Sequence, residues 1–185
     1  MKDLNNDKAL FKQALKHQDD HKCGAHPFEE YEDLIRILKQ FKPRNILEIG
    51  SGIGFSTLII NQTLPKVSIQ TIEMQTDHIQ ICLEKFKNYP NITLLEGEAK
   101  NILLTLISDN YDLIFFDGYA PQYNFLIEFE RIIKKEGILI SANCHLKGST
   151  LSTTPQYLEA INSQTKWTKL EKFGNSVVVR SNKNC

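Results

Sequence analysis

Three glycines at alternate positions, Gly50, Gly52 and Gly54, separate a short apolar run from a longer apolar-rich stretch, and this pattern constrains the fold more than any other feature of the chain. Residues 46–49 (ILEI) read as a buried strand, and FSTLIINQTL (55–64) reads as a helix. Strand, glycine turn and helix in that order make the nucleotide-binding half of a doubly wound α/β fold. Glycine permits the tight turn, and its missing Cβ lets a ligand lie against the backbone. The helix N-terminus adds unpaired N–H groups and a positive dipole end. The next strand, SIQTIE (68–73), ends on Glu73, 19 positions after Gly54. At about that separation such folds place a carboxylate that accepts ribose hydroxyls.

The 185 residues suffice for one domain with a full α/β core. Lys and Arg total 22, as do Asp and Glu, so no charge excess points to nucleic acid or membrane. No apolar run reaches a membrane span, and MKDLNNDKAL has no apolar leader core, so a cytoplasmic location is expected. Cys23, Cys82, Cys144 and Cys185 are scattered, with no C-x-x-C pair. They read as free thiols, implying neither disulfide nor zinc.

In chain order, residues 3–17 suggest a helix and 17–27 a polar loop broken by Gly24 and Pro27. His17, His21 and His26 in that stretch read as solvated loop residues. Residues 28–41 form a stronger helix, with Phe28, Tyr31, Leu34, Ile35, Leu38 and Phe41 on one face. After Glu73, Thr76 is placed to cap a helix carrying Ile79, Cys82, Leu83 and Phe86. Strands follow at 92–96, 111–117 and 138–142, with helices near 99–107, 123–135 and 155–163 between and after them. Two late strands, 166–173 and 176–180, flank the turn Gly174–Asn175. Alternating β and α units predict a parallel core, whose ligands sit beyond the carboxyl ends of the strands.

LEIGSGIGFST followed by TIEM resembles the S-adenosylmethionine (SAM) site of class I methyltransferases. More narrowly, it is similar to that of the catechol and caffeoyl-CoA O-methyltransferases. Glu48 precedes a G-x-G-x-G turn rather than a dinucleotide G-x-G-x-x-G, and the turn lacks a P-loop lysine. The resemblance runs from about residue 28 to the end. It implies a Rossmann-like seven-stranded sheet of order 3-2-1-4-5-7-6, SAM as cofactor and a small-molecule acceptor, with a homodimer left open. It also implies helices over 1–42 that cover the site and a SAM-binding core over 43–185. By the same resemblance Glu48 and Gly50 flank the methionine part of SAM, within a turn that includes Ser51, Gly52 and Gly54. Ser56 hydrogen-bonds the carboxylate of SAM. Glu73 takes the ribose, with Met74 beside it. Gly97, Glu98 and Ala99 border the adenine, with Gly118 and Tyr119 on another side. Asp117 stands at the reaction centre, and Asp117 and His145 are the candidate bases.

Two departures from that family's pattern bear on chemistry. Its D-x-x-K-x-x-Y motif is matched here by residues 117–123, with Ala120 in place of the lysine. Its Asp-Asn pair of metal ligands is matched by Ala142 and Asn143. Mg²⁺ prefers anionic oxygen ligands, so a metal-independent O-methyltransferase is expected. A non-catalytic SAM-binding domain, a tRNA-modifying methyltransferase and an aminopropyltransferase-like enzyme stand as alternatives.

Overall fold

A computed structural model describes residues 3–23, 26–118, 122–144, 155–163 and 165–183. The elements run α1 (Asp3–His21), α2 (Tyr31–Phe41), β1 (Asn45–Ile49), α3 (Phe55–Thr63), β2 (Ser68–Glu73), α4 (Thr76–Phe86) and β3 (Ile92–Glu96). They continue with α5 (Ala99–Ile102), β4 (Tyr111–Phe116), α6 (Tyr123–Ile132), β5 (Ile133–Ser141), α7 (Pro155–Asn162), β6 (Trp167–Phe173) and β7 (Ser176–Ser181). The strands form one seven-stranded sheet of order β3-β2-β1-β4-β5-β7-β6, as expected. Strands β1 to β5 pair in parallel, and β7 joins antiparallel to both β5 and β6.

Helices cover both faces, so the central strands are apolar on both sides. On one face Ile46, Ile69, Leu113, Phe115 and Ile140 pack against residues of α2, α3 and α4, such as Leu34, Ile59 and Phe86. On the other, Leu47, Ile72, Ile114, Phe116 and Leu139 pack against Leu126, Phe129, Tyr157 and Ile161 of α6 and α7. The strand period of two settles which side chains face where. Glu48 shares its face with Ile46 and so points toward α3, while Thr71 and Glu73 share a face with Ile69.

Several boundaries differ from those expected. Helix α1 continues through His21, where a loop was expected from residue 17. Polarity alone does not end a helix, and Lys16 pairs with Asp20 at 2.5 Å across one turn. Helix α2 starts at Tyr31 rather than Phe28, with Glu30 at its N-cap, yet Phe28 is buried against Phe115 at 5.0 Å between ring centres. Thr76 is the first residue of α4 rather than its cap; Gln75 holds the cap position. Helix α6 stops at Ile132 and β5 begins at once, with an irregularity inside the strand where Glu136 takes φ +60°.

Candidate active site

The turn after β1 is built on left-handed backbone. Gly50, Gly52 and Gly54 have φ of +95°, +52° and +84°, a region that side chains strain. A Cβ on Gly50 would lie 2.7 Å from the Asp117 carbonyl oxygen, so the turn is pressed against the end of β4. The N–H groups of Gly50 and Ser51 donate to the Ile72 carbonyl at 3.0 and 3.2 Å, which ties the same turn to β2.

Glu73 ends β2 with its carboxylate fixed by three backbone donors. Gly52 N–H donates to Oε2 at 2.8 Å, and Met74 and Gln75 N–H donate to Oε1 at 2.8 Å each. His78 Nδ1, in the first turn of α4, lies 3.9 Å from Oε1. Three donors leave part of the acceptor capacity of the carboxylate open, on a residue that borders a cavity.

Glu48 is fully buried beneath the turn. Ser56 donates to its Oε1 at 2.5 Å, Thr71 to its Oε2 at 2.6 Å, and Thr57 donates to Oε2 as well. Ser51 Oγ lies 2.5 Å from Thr71 Oγ1, extending the chain of hydroxyls back to the glycine turn. Burial pushes the Glu48 carboxyl above its ordinary pKa, and the three hydroxyls oppose that shift.

Asp117 follows β4. The cost of taking its charge out of water pushes its pKa well up, and Glu48 and Glu30 push in the same direction. Asn143 Nδ2 donates to Asp117 Oδ1 at 3.3 Å and to the Gly118 carbonyl at 3.2 Å.

A cavity of about 680 Å³ runs along the carboxyl ends of the strands. Gly50, Ser51, Gly52, Ser56, Glu73, Met74, Gly97, Glu98, Ala99, Asp117 and Gly118 all border it. Glu48 and Gly54 do not. Glu48, expected beside the methionine part of SAM, is turned by strand periodicity into the layer under α3. Gly54 caps α3, and a Cβ there would meet the Phe86 ring at 2.8 Å. The Ser56 hydroxyl, expected on the SAM carboxylate, is given to Glu48. Tyr119, Ala120 and His145 lie outside the described residues.

The cavity also has walls that were not anticipated. Gln75 and His78 enter from the start of α4, a position that borders any ligand at the end of β2 and was legible from the spacing after Glu73. Glu30, Asn175 and Ser176 enter from the α1–α2 connection and the β6–β7 turn, which meet only in three dimensions. The Ser176 hydroxyl is buried with no hydrogen-bond partner among the described residues.

Sheet order, glycine turn and the acid after β2 together define a class I methyltransferase fold. Within that class, a model of the O-methyltransferase family matches residues 8–178, and the chain belongs to that family, whose cofactor is SAM. A Mycobacterium sp. (strain JLS) protein named as an O-methyltransferase is 29% identical over 122 residues, covering 62% of this chain and 56% of its own length. A ribosomal RNA small subunit methyltransferase A of Clostridium botulinum (strain Okra / Type B1) is 29% identical over 133 residues, covering 72% of this chain and 45% of its own. The chain thus spans about half the length of the curated relatives it matches. The crystal structure of an O-methyltransferase from Bacillus cereus in complex with SAH superposes with a TM-score of 0.75 at 19% identity, covering 95% of this chain and 91% of that one. No described helix is long and apolar enough to cross a membrane.

Proposed function

We propose that this chain transfers the methyl group of SAM to a hydroxyl of a small molecule, with Asp117 as the proton acceptor and no divalent ion at the reaction centre. One observation carries the reading: Glu73 and Asp117 border the same cavity from strands two places apart. Strand β1 lies between β2 and β4, which sets the two acids about 10 Å apart at roughly 4.8 Å per strand. One acid can therefore hold a ribose while the other faces the reacting end of the same ligand.

The residues fit SAM. The cavity falls within the size range of small-molecule sites, roughly 300–1,000 Å³. Glu73 accepts from the ribose hydroxyls, and Gly97, Glu98 and Ala99 border the adenine. Gly50, Ser51 and Gly52 give close approach to backbone, and the first turn of α3 offers N–H groups to a carboxylate. Bound SAM supplies an electrophilic methyl on a sulfonium, and SAH is left once the acceptor oxygen has taken it. Asp117 takes the hydroxyl proton as the new oxygen–carbon bond forms. Its raised pKa makes it a stronger base than an ordinary carboxylate. The protein otherwise contributes orientation, holding acceptor and methyl donor in one cavity.

The donor set does not suit Mg²⁺. The Ala142 side chain is buried and carries no oxygen, and the Asn143 amide nitrogen donates to Asp117. With no carboxylate at position 142 to pair with Asp117, the site is a poor match for an ion that prefers anionic oxygen ligands and surrenders water reluctantly.

The test is transfer of labelled methyl from SAM to a pool of hydroxyl-bearing metabolites and, separately, to RNA. Label in small molecules supports the reading. The similarity to an RNA methyltransferase favours a second reading, and label in RNA alone would establish it.

A further inference from the structure

His17 on α1, Cys23 just past its end and His78 on α4 come together beside the cavity. One ligand atom from each lies within 4.8 Å of those of the other two, and this is the only such group of three among the described residues. His17 and Cys23 are near neighbours in sequence, and the fold brings the distant His78 of α4 to them. His78 is buried, with 3% of its surface exposed, and its ring meets His17 edge-on at 5.7 Å between centres. His21, one turn on from His17, lies 4.4 Å from it between ring centres.

We propose that His17, Cys23 and His78 form a binding site for a zinc-type divalent ion. Imidazole nitrogen with thiolate sulfur suits a borderline-soft ion and disfavours Mg²⁺ or Ca²⁺. Three protein ligands leave one tetrahedral position, which a water completes. Metal–ligand bonds of about 2.0–2.3 Å put tetrahedral ligand atoms ~3.5 Å apart. The cluster therefore closes by about an ångström on binding, and the part-exposed Cys23 side chain is free to supply that movement. Glu73 Oε1 lies 3.9 Å from His78 Nδ1, so a carboxylate stands near the cluster.

The site would clamp α1 to α4 at the edge of the cavity. His26 and Phe28, which follow Cys23 closely, line that cavity, as does His78. Metal occupancy and cavity occupancy are then linked, each changing the affinity of the other by the same factor.

The experiment uses the metal alone and does not depend on SAM being the ligand. Metal-free protein is titrated with Co²⁺ as an optical probe, followed by competition with Zn²⁺. One equivalent should give intense tetrahedral d–d bands and a thiolate-to-cobalt charge-transfer band, both displaced by Zn²⁺. Cys23→Ser should remove the charge-transfer band and weaken binding at least tenfold, and His17→Asn should weaken it similarly, with circular dichroism unchanged in both. If Cys23→Ser fails to fold, His17→Asn and the wild-type spectrum decide. A weak octahedral spectrum, no stoichiometric binding, or a charge-transfer band that persists in Cys23→Ser would overturn the proposal.

Discussion

The backbone N–H of Gly52 donates to Glu73 Oε2 at 2.8 Å, so the glycine turn after β1 and the acid that ends β2 form one unit. A substitution in the turn should therefore be felt at the acid. Gly52 sits at φ +52°, where a non-glycine residue costs about 1–2 kcal/mol. Gly52→Val should abolish SAM binding while the domain stays folded. Gly50→Ala should instead lower stability, because its Cβ would lie 2.7 Å from the Asp117 carbonyl. Thermal melting with and without SAM separates the two outcomes.

Thr71 donates to a buried carboxyl, and Thr71→Val should cost about 1.5–3 kcal/mol, the range for hydrogen bonds to charged groups. The sign with pH follows from Glu48. Its pKa is raised in the fold, mainly by burial. The stability it contributes is therefore full below the ordinary carboxylate range and is lost as pH rises through the raised value. Removing a donor raises that value further. The deficit of Thr71→Val should be largest at neutral and alkaline pH and should narrow on acidification, as read from urea midpoints.

The parallel core was legible from the alternation of apolar runs and helices, whereas the full sheet order came only from the resemblance carried by the glycine turn and the TIEM stretch. The turn and Glu73 were themselves legible from the local pattern. Glu48 was not, because its neighbours in sequence do not show that strand periodicity turns it toward the hydroxyls of α3 and β2. His17 and His21 read as loop residues because the stretch is polar, whereas α1 continues through His21. The approach of His17 to His78, and of Glu30 to the β6–β7 turn, depends on long-range packing that no local pattern records.

Asp117 as base predicts an acid limb in kcat/KM. Its raised pKa leaves it protonated, and so unable to accept a proton, at pH values where an ordinary carboxylate is ionised. Activity should rise with pH through a value above the ordinary carboxylate range. Asp117→Asn should lower kcat by about 10²–10⁴, the usual contribution of a general base, and should remove that limb.

Turnover of chelator-treated, dialysed protein should be the same with and without added Mg²⁺. Ala142→Asp restores a carboxylate beside Asp117 and Asn143 and should create a Mg²⁺ response. A wild-type requirement for Mg²⁺ would show that a residue other than those described completes a hard-metal site.

In the proposed reaction one cavity divides its work between two acids, Glu73 for the cofactor and Asp117 for the proton. Calorimetry with SAM on wild type, Glu73→Ala and Asp117→Asn, paired with kcat for each, tests it most directly. Glu73→Ala should weaken SAM binding by about 1.5–3 kcal/mol, roughly ten- to a hundredfold. Asp117→Asn should keep SAM affinity close to wild type while losing turnover. Unchanged SAM affinity in Glu73→Ala would contradict the account.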